Sequence, residues 1–192
     1  LAQRFYEQPL LEAIKVANRK GVYLDVGAHV GNHSVFFGCE CPATFVHSFE
    51  PWGASYALLM RNLSKNLKVG YTAHNCAIHD VAKTTTIVAP PPSNTGMAQI
   101  SPNKLVGGRI RAQTIDELGI TGVGLLKIDT EGCECAVIRS AIATILRDQP
   151  IIVTEAAEDS DLSNIRTILA PLGYGHGPRY CATPTYIWYP TK

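Results

Sequence analysis

The amino-acid sequence predicts an α/β fold in which helices cover a largely parallel sheet. Short apolar runs alternate with segments of helical periodicity, which is the pattern of repeated βαβ units. The first run, residues 21–26, is short and apolar enough to be a strand that is buried on both faces. Glycines and acidic residues follow several of these runs, where the carboxyl ends of parallel strands form ligand sites.

The size and composition of the chain fit a single globular domain covering residues 1–192. Hydrophobic residues make up 46% of the 192 residues and charged residues 17%, which excludes a disordered chain. Area scaling predicts that about 70% of the unfolded surface can be buried, so the core needs no disulfides. We therefore expect the six cysteines to be reduced and the protein to be cytoplasmic.

The charge balance and the hydropathy exclude several classes of partner. Lys and Arg number 17 against 16 Asp and Glu, and this net charge of +1 argues against general nucleic-acid binding. No apolar stretch reaches 18 residues, so we expect no membrane span. The two C-x-C pairs, at 39–41 and 133–135, lack the spacing of zinc knuckles, so we predict no zinc site.

The first half of the chain predicts a lead-in helix and then alternating strands and helices. The lead-in segment, residues 1–20, contains a helix over 3–18 that is broken or kinked near Pro9. A helix begins at Gly31, and a second carries apolar residues at helical spacing. This second stripe consists of Tyr56, Leu59, Met60, Leu63 and Leu67. The predicted strands cover 21–26, 44–49 and 71–78.

Residues 81–115 interrupt the alternation and predict short antiparallel strands and loops rather than a second domain. Three prolines at 90–92 and a glycine pair at 107–108 divide this segment. Its charged residues are all basic: Lys83, Lys104, Arg109 and Arg111.

The second half predicts two further parallel strands, two helices and a final hairpin. The strands cover 123–128 and 150–154, and the hairpin pairs 172–174 with 185–189. One helix buries a stripe formed by Cys135, Ile138, Ile142, Ile145 and Leu146. Residues 159–161 supply N-cap chemistry for the other helix.

The strongest functional motif, L-D-V-G-A-H-V-G-N-H-S, follows the first strand at 24–34. Such a turn lets the backbone approach a ligand, and helix N–H groups point at it. The spacing of Gly27 and Gly31 does not match the dinucleotide fingerprint G-x-G-x-x-G. A carboxylate at Asp25 suits a ligand with a cationic amine and opposes a pyrophosphate. The alternative is a tight turn that Asp25 caps.

Acidic residues follow three further strands. Glu50 ends the second strand, 25 residues after Asp25, where a carboxylate can accept hydrogen bonds from both ribose hydroxyls. Asp129 and Glu131 follow the fourth strand, and Glu155 follows the fifth. Grouped carboxylates shift one another's proton affinity or hold a metal. Alternatively, Glu50 is a solvated carboxylate at its strand end. After the fourth strand, Glu131 and Glu134 could simply favour a helix N-terminus, which is the better interpretation of Glu134.

With these motifs the chain resembles the FkbM-like family of S-adenosylmethionine-dependent (class I) methyltransferases. The resemblance spans roughly residues 20–190 and rests on D-V-G-A-H-V-G-N-H-S, F-E-P and L-K-I-D-T-E-G-C-E, with weaker support from 75–78, 94–96, 114–118 and 172–174. His29 stands where the family usually has Asn. The resemblance implies a Rossmann-like sheet of seven mostly parallel strands with an antiparallel last strand.

The resemblance also implies S-adenosyl-L-methionine as cofactor. Gly27 and its neighbours would pass under the methionine portion, with Asp25 near its amino group, and Glu50 would hold the ribose. The implied cofactor-binding residues are Asp25, Gly27, Ala28, His29, Gly31, Asn32, Glu50, Pro51, Trp52, Cys76, Ala77 and Asp129.

The implied reaction is O-methylation of a sugar or another small molecule. Asp129 would orient the cofactor and the acceptor, Glu131 or Glu155 would serve as base or acceptor anchor, and His33 could reach the site. The basic segment 81–115 would lie near the acceptor pocket and favour an anionic acceptor, unless it is a solvated loop. The rival functions are a non-catalytic cofactor-binding subunit and a nicotinamide-dependent oxidoreductase. Metal assistance and a homodimer are left open.

Overall fold

A computed structural model describes residues 5–91, 99–100 and 108–191. Its α-helices are α1 (Gln8–Ala17), α2 (Asn32–Glu40), α3 (Gly53–Asn66), α4 (Glu134–Arg139), α5 (Ile142–Asp148) and α6 (Asp159–Leu169). Its strands are β1 (Gly21–Val26), β2 (Ala43–Phe49), β3 (Gly70–His74), β4 (Ala77–Ile78), β5 (Lys83–Val88), β6 (Gln99–Ile100), β7 (Gly108–Gln113), β8 (Val123–Ile128), β9 (Ile151–Glu155), β10 (Tyr174–Tyr180) and β11 (Thr185–Pro190).

Seven strands form the central sheet, in the order β10-β11-β9-β8-β1-β2-β3. The pairs from β9 across to β3 are all parallel. The last strand, β11, runs antiparallel to both of its neighbours, β9 and β10. The predicted fold class is therefore confirmed, including the antiparallel last strand and the final hairpin.

Apolar side chains cover both faces of this sheet, which explains why its central strands are apolar throughout. In β1, Leu24 packs on the face that α4, α5 and α6 cover, whereas its neighbour Tyr23 packs on the face that α1 and α2 cover. All six residues of β8 are buried. Because successive side chains of a strand point to opposite faces, such a strand cannot alternate with polar residues.

The predicted third strand, 71–78, is divided between two sheets. β3 joins the central sheet, while β4 joins a four-stranded sheet in the order β4-β7-β5-β6. The Asn75 side chain donates hydrogen bonds to the carbonyls of Glu50 and Pro51 at 2.9 and 3.2 Å, so the chain turns away between the two strands. β5 pairs antiparallel with β6 and β7, as expected for the inserted segment. Lys104 and residues 94–96 lie outside the described residues.

Three helix predictions need correction at their ends. α1 is not broken at Pro9, because the helix begins at Gln8 and Pro9 lies in its first turn. N–H groups in the first turn have no partner within the helix, so the missing N–H of proline is tolerated there. The helix predicted from 135 to 146 is two helices, because Asp116 accepts hydrogen bonds from the backbone of Ala143 and Thr144 and caps a new start. Leu146 is consequently 58% exposed rather than buried.

The cap of α6 also lies one residue earlier than predicted. Glu158 is the N-cap residue, and it forms a capping box with Asp161. All six cysteines are free thiols. No helix within the described part of the chain is long and apolar enough to cross a membrane.

Candidate active site

A cleft of about 640 Å³ opens where β1, β2, β8 and β9 end. Of the residues predicted to form the site, twelve line it: Gly27, Ala28, His29, Asn32, His33, Glu50, Pro51, Cys76, Ala77, Asp129, Glu131 and Glu155. Three others, Asp25, Gly31 and Trp52, do not line it. The sheet thus brings together side chains that are more than a hundred residues apart in the sequence.

The turn after β1 is shaped by close backbone contact with the end of β8. Gly27 has φ of +77°, and a Cβ atom there would lie 1.7 Å from the carbonyl oxygen of Asp129. The N–H groups of Gly27 and Ala28 both donate to the carbonyl of Phe49 at 3.0 Å. His29 also has a positive φ, 49°, a conformation in which Asn, Asp and His are enriched. His29 is thus compatible with a position that the family usually fills with Asn.

Gly31 serves the packing of helices rather than the cleft. It is the N-cap residue of α2, with φ of 89°. A Cβ atom at Gly31 would lie 2.7 Å from the Leu59 side chain. Because glycine has no Cβ atom, α3 can approach the turn closely.

Asp25 lies behind the cleft and is fully buried. It accepts a hydrogen bond from Ser34 Oγ at 2.5 Å and forms an ion pair with Lys127 Nζ at 3.1 Å. Asp25 does not line the cleft, so its place near a cofactor amino group, directly or through water, stays a prediction. Asp25 fixes the side chain of Lys127.

Lys127 connects the two halves of the site, and sequence reasoning gave it no role. Its ammonium pairs with Asp25 and with Asp129 at 3.4 Å, and it donates to the carbonyl of Gly27 at 3.1 Å. Burial alone would lower the pKa of this ammonium, but the attraction of the two carboxylates outweighs burial and raises it. A single Lys in an otherwise apolar strand was the available signal.

Glu50 presents a fixed carboxylate to the cleft. Its two oxygens accept hydrogen bonds from the backbone N–H groups of Trp52 at 2.7 Å and His29 at 2.8 Å. Burial raises the pKa of this carboxyl group, and the two N–H groups partly oppose that rise. Trp52 contributes this N–H rather than its ring to the site.

Asp129 and Glu155 form a pair of carboxyl groups at the ends of β8 and β9. The two side chains are hydrogen-bonded to each other. Burial, followed by the charge of Asp129, raises the pKa of Glu155 to about 8. Burial would raise the pKa of Asp129 as well. The neighbouring Lys127 and His33 and the hydrogen bond with Glu155 outweigh burial and lower this pKa overall. The pair therefore holds one proton at neutral pH, on Glu155.

Glu131 and Glu134 follow Asp129 and behave differently from each other. Glu131 lines the cleft, and burial, together with the charges of Asp129 and Glu134, raises its pKa. Glu134 Oε1 accepts hydrogen bonds from the backbone of Thr130 and Gly132, as expected for a carboxylate at a helix N-terminus. Among the described residues, no three His, Cys, Asp or Glu side chains are arranged to hold a metal ion.

Sequence reasoning missed Tyr6, Glu7 and Thr183, which also line the cleft. Glu7 Oε2 lies 3.3 Å from His33 Nε2. No local pattern marks these residues, because they reach the site only through the packing of α1 and of the β10–β11 connection.

The basic residues of the inserted segment lie elsewhere. Lys83, Arg109 and Arg111 are exposed, and none of them lines the cleft. The described part of the chain therefore offers no support for a basic roof over the site.

Several known proteins with similar sequences or folds are methyltransferases. The chain is 27% identical over 191 residues to the 31-O-demethyl-FK506 methyltransferase FkbM of Streptomyces tacrolimicus, covering 81% of this chain and 72% of that protein. Its fold is similar to that of a methyltransferase FkbM from Methylobacillus flagellatus KT, with a TM-score of 0.63 and 19% identity over 88% of this chain. The chain spans only 43% of the length of that protein.

A further similar structure is that of Trm1 from Pyrococcus horikoshii in complex with S-adenosyl-L-methionine. Its TM-score is 0.52 at 14% identity, over 94% of this chain and 53% of that one. The model of the methyltransferase FkbM domain matches residues 25–175, which include the end of β1 and all of β2, β3, β8 and β9 of the central sheet. The chain belongs to the FkbM methyltransferase family.

Proposed function

We propose that this protein transfers the methyl group of S-adenosyl-L-methionine to a hydroxyl oxygen of a sugar or another small molecule. When bound, this cofactor supplies a methyl group activated by the positive charge of its sulfur. The observation that carries the proposal is that one cleft holds Glu50 at one end and the Asp129–Glu155 pair farther along the sheet.

The donor end of the cleft, defined as Gly27, Glu50, Pro51, Cys76 and Ala77, fits a nucleoside cofactor. Each Glu50 oxygen uses one lone pair on a backbone N–H, which leaves the other available to a ribose hydroxyl. The Gly27 backbone forms a surface without a side chain. The cleft volume of about 640 Å³ is within the range of small-molecule sites. Its carboxylates favour a cationic ligand, such as a sulfonium.

The Asp129–Glu155 pair supplies the proton acceptor. A hydroxyl acceptor loses its proton as its new C–O bond forms, and a base near it assists this loss. The raised pKa of Glu155 makes it the stronger base once it is ionised. Lys127 and Asp25 hold Asp129 ionised and in place, so Asp129 orients Glu155 and the acceptor. In this assignment Glu131 anchors the acceptor, and His33 lies beside the pair, next to Glu7.

Calorimetric titration with S-adenosylhomocysteine tests the donor end. We expect Glu50→Ala to weaken binding by about 10- to 100-fold, the worth of charge-assisted hydrogen bonds. Glu12→Ala is the matched control, because Glu12 is exposed on α1 and outside the cleft. Thermal melts of both variants check that the fold is intact. Undiminished binding by Glu50→Ala would mean that the ribose assignment is wrong.

The same titration separates the rival functions. Saturable binding of reduced nicotinamide dinucleotide without binding of S-adenosylhomocysteine would favour an oxidoreductase. Tight binding without turnover of any hydroxyl compound would favour a non-catalytic subunit. Undiminished activity in a chelator would exclude metal assistance. A cytoplasmic location and a homodimer stay predictions.

A further inference from the structure

We propose that Tyr6, Glu7 and Thr183, here called the acceptor wall, select a polyhydroxy acceptor that is positively charged or uncharged and reject one that carries a negative charge. This inference rests on the proposed function and deepens it by naming the acceptor class. It replaces the anionic acceptor that the basic segment 81–115 predicted.

The acceptor wall lies away from the donor end. Glu50 follows β2, and Glu155 ends β9. Because β1 and β8 lie between these two strands, three strand spacings of about 4.8 Å separate the two residues. Glu7, which follows Tyr6 directly, lines one small cavity together with Glu155, so this part of the wall lies on the Glu155 side. Thr183 precedes β11, whose Thr185 is paired with Glu155.

The acceptor wall is held in position before any ligand binds. The N–H of Tyr6 donates to Asn32 Oδ1 at 3.2 Å, and Asn32 Nδ2 donates to the carbonyl of Tyr6 at 3.3 Å. Phe5 packs edge-to-face on Phe36 of α2, with ring centroids 5.2 Å apart. A preformed wall of this kind discriminates between acceptors because little ordering is needed on binding.

The charges around the wall are mainly negative. Among the described residues, Glu7, Asp129, Glu131 and Glu155 line the cleft, whereas the one lysine that lines it, Lys127, is already paired with two carboxylates. Burial would raise the pKa of Glu7, but the neighbouring His33 ring and Cys181 thiol lower it overall, so Glu7 is ionised at neutral pH. An acceptor hydroxyl or ammonium can donate to this carboxylate, whereas an acceptor carboxylate meets a like charge.

The His33 ring gives a second reason to expect a ligand here. His33 is 7% exposed, and its Nε2 atom makes no hydrogen bond of good geometry despite its proximity to Glu7. His33 lines both the main cleft and a small adjoining cavity of about 20 Å³, which Glu7 and Glu155 also line. A polar cavity of that size has room for one water or one hydroxyl group.

The three wall residues lie outside the segment that the FkbM domain matches, residues 25–175. The donor-end residues and the Asp129–Glu155 pair all lie inside it. The shared segment therefore supplies the donor end and the base, and the flanking residues supply the surface that meets the acceptor.

Binding of three related sugars tests the inference. Glucosamine, glucose and glucuronate are titrated into the full chain saturated with S-adenosylhomocysteine at pH 6.5, where the amine is protonated. We expect the wild type to bind glucosamine about tenfold more tightly than glucuronate, with glucose between them. We expect Glu7→Gln to reduce that ratio to about threefold or less, and the exposed Glu12→Gln to leave it unchanged.

A second variant covers the case in which Glu7→Gln fails to fold. Thr183 is exposed, so Thr183→Asp adds a negative charge to the wall at little structural cost. We expect it to increase the ratio of glucosamine to glucuronate affinity severalfold. Equal or absent binding of all three sugars, or a ratio that neither variant changes, overturns the inference. Failure of S-adenosylhomocysteine itself to bind contradicts the proposed function instead.

Discussion

Asp129 and Glu155, at the ends of adjacent parallel strands, are hydrogen-bonded to each other, and their pKa values are displaced in opposite directions. Lys127 causes the asymmetry, because its ammonium contacts Asp129 at 3.4 Å. One carboxyl group is thereby kept ionised and the other protonated at neutral pH. Such a division is typical of sites where one acid orients a base.

The pH dependence of turnover follows from the pKa of Glu155, about 8. We expect kcat/KM to rise with pH and to level off above pH 8, because Glu155 accepts the acceptor proton only when ionised. Glu155→Gln should lower kcat by about 100-fold or more and abolish this rise. A variant whose rate still rises through pH 8 would show that another group is the base.

The same pKa shift predicts how stability depends on pH. Because the pKa of Glu155 is raised on folding, the folded chain retains a proton that the unfolded chain loses, and stability falls as pH increases from about 4.5 to 8. Glu155→Gln removes this loss. We expect its melting temperature to exceed that of the wild type at pH 9 by about 2–4 °C for each kcal/mol gained, and by less at pH 5.

Differential scanning calorimetry at both pH values measures this difference. The exposed Glu117 supplies a matched control, Glu117→Gln, which removes one carboxylate outside the cleft. A melting difference between Glu155→Gln and the wild type that is equal at pH 5 and pH 9 would contradict the assigned coupling.

The ion pairs of Lys127 predict a large loss of stability when this side chain is removed. Lys127→Met leaves Asp25 as an unpaired buried charge, which costs about 3–5 kcal/mol. Lys15→Met removes a similarly short ion pair, that with Glu40 at 2.8 Å, but at a site where both side chains are more than 40% exposed. We expect it to cost far less than Lys127→Met, because water screens an exposed ion pair. Urea unfolding of both variants checks the contrast, and equal losses would contradict it.

Two glycine substitutions test the close contact between the β1–α2 turn and β8. Gly27→Ala would place Cβ against the Asp129 carbonyl at a positive φ, so we expect it to unfold the chain or abolish S-adenosylhomocysteine binding. At Gly53, which begins α3, a Cβ atom would have no described neighbour within 4 Å. Gly53→Ala should therefore be neutral or slightly stabilising. Thermal melts and ligand titration compare the two, and a tolerated Gly27→Ala would refute the contact.

The positive φ of His29 makes a prediction about side-chain type. His29→Asn should retain stability within about 0.5 kcal/mol, whereas His29→Val should lose about 1–2 kcal/mol, because a β-branched side chain disfavours this backbone conformation. Denaturant unfolding measures both. Equal stability of the two variants would mean that the backbone at His29 is not left-handed.

The sheet and the acidic residues at its strand ends could be predicted from the sequence because they depend on local patterns. Glu50, Asp129 and Glu155 each end an apolar run, and parallel pairing brings the ends of such runs to one edge. The role of Asp25 could not be predicted in the same way. Its side chain contacts Lys127, 102 positions later in the sequence, and is buried behind the cleft.

The acceptor wall could not be predicted for the same physical reason. Tyr6 and Glu7 reach the cleft because α1 packs against α2, and Thr183 because β11 joins the sheet beside β9. The division of the predicted helix 135–146 also depended on a distant residue, Asp116. Periodicity marks which face of a segment is buried, but not which remote polar group interrupts it.

Incubation with S-adenosylmethionine carrying a deuterated methyl group tests the central claim most directly. The protein is supplied with a panel of hydroxyl compounds, and mass spectrometry and NMR locate the label in the product. The account predicts a methyl ether on an oxygen of an uncharged or cationic acceptor, formed by the wild type and lost in Glu155→Gln. A label on nitrogen or carbon, or no product from a chain that binds S-adenosylhomocysteine, would contradict it.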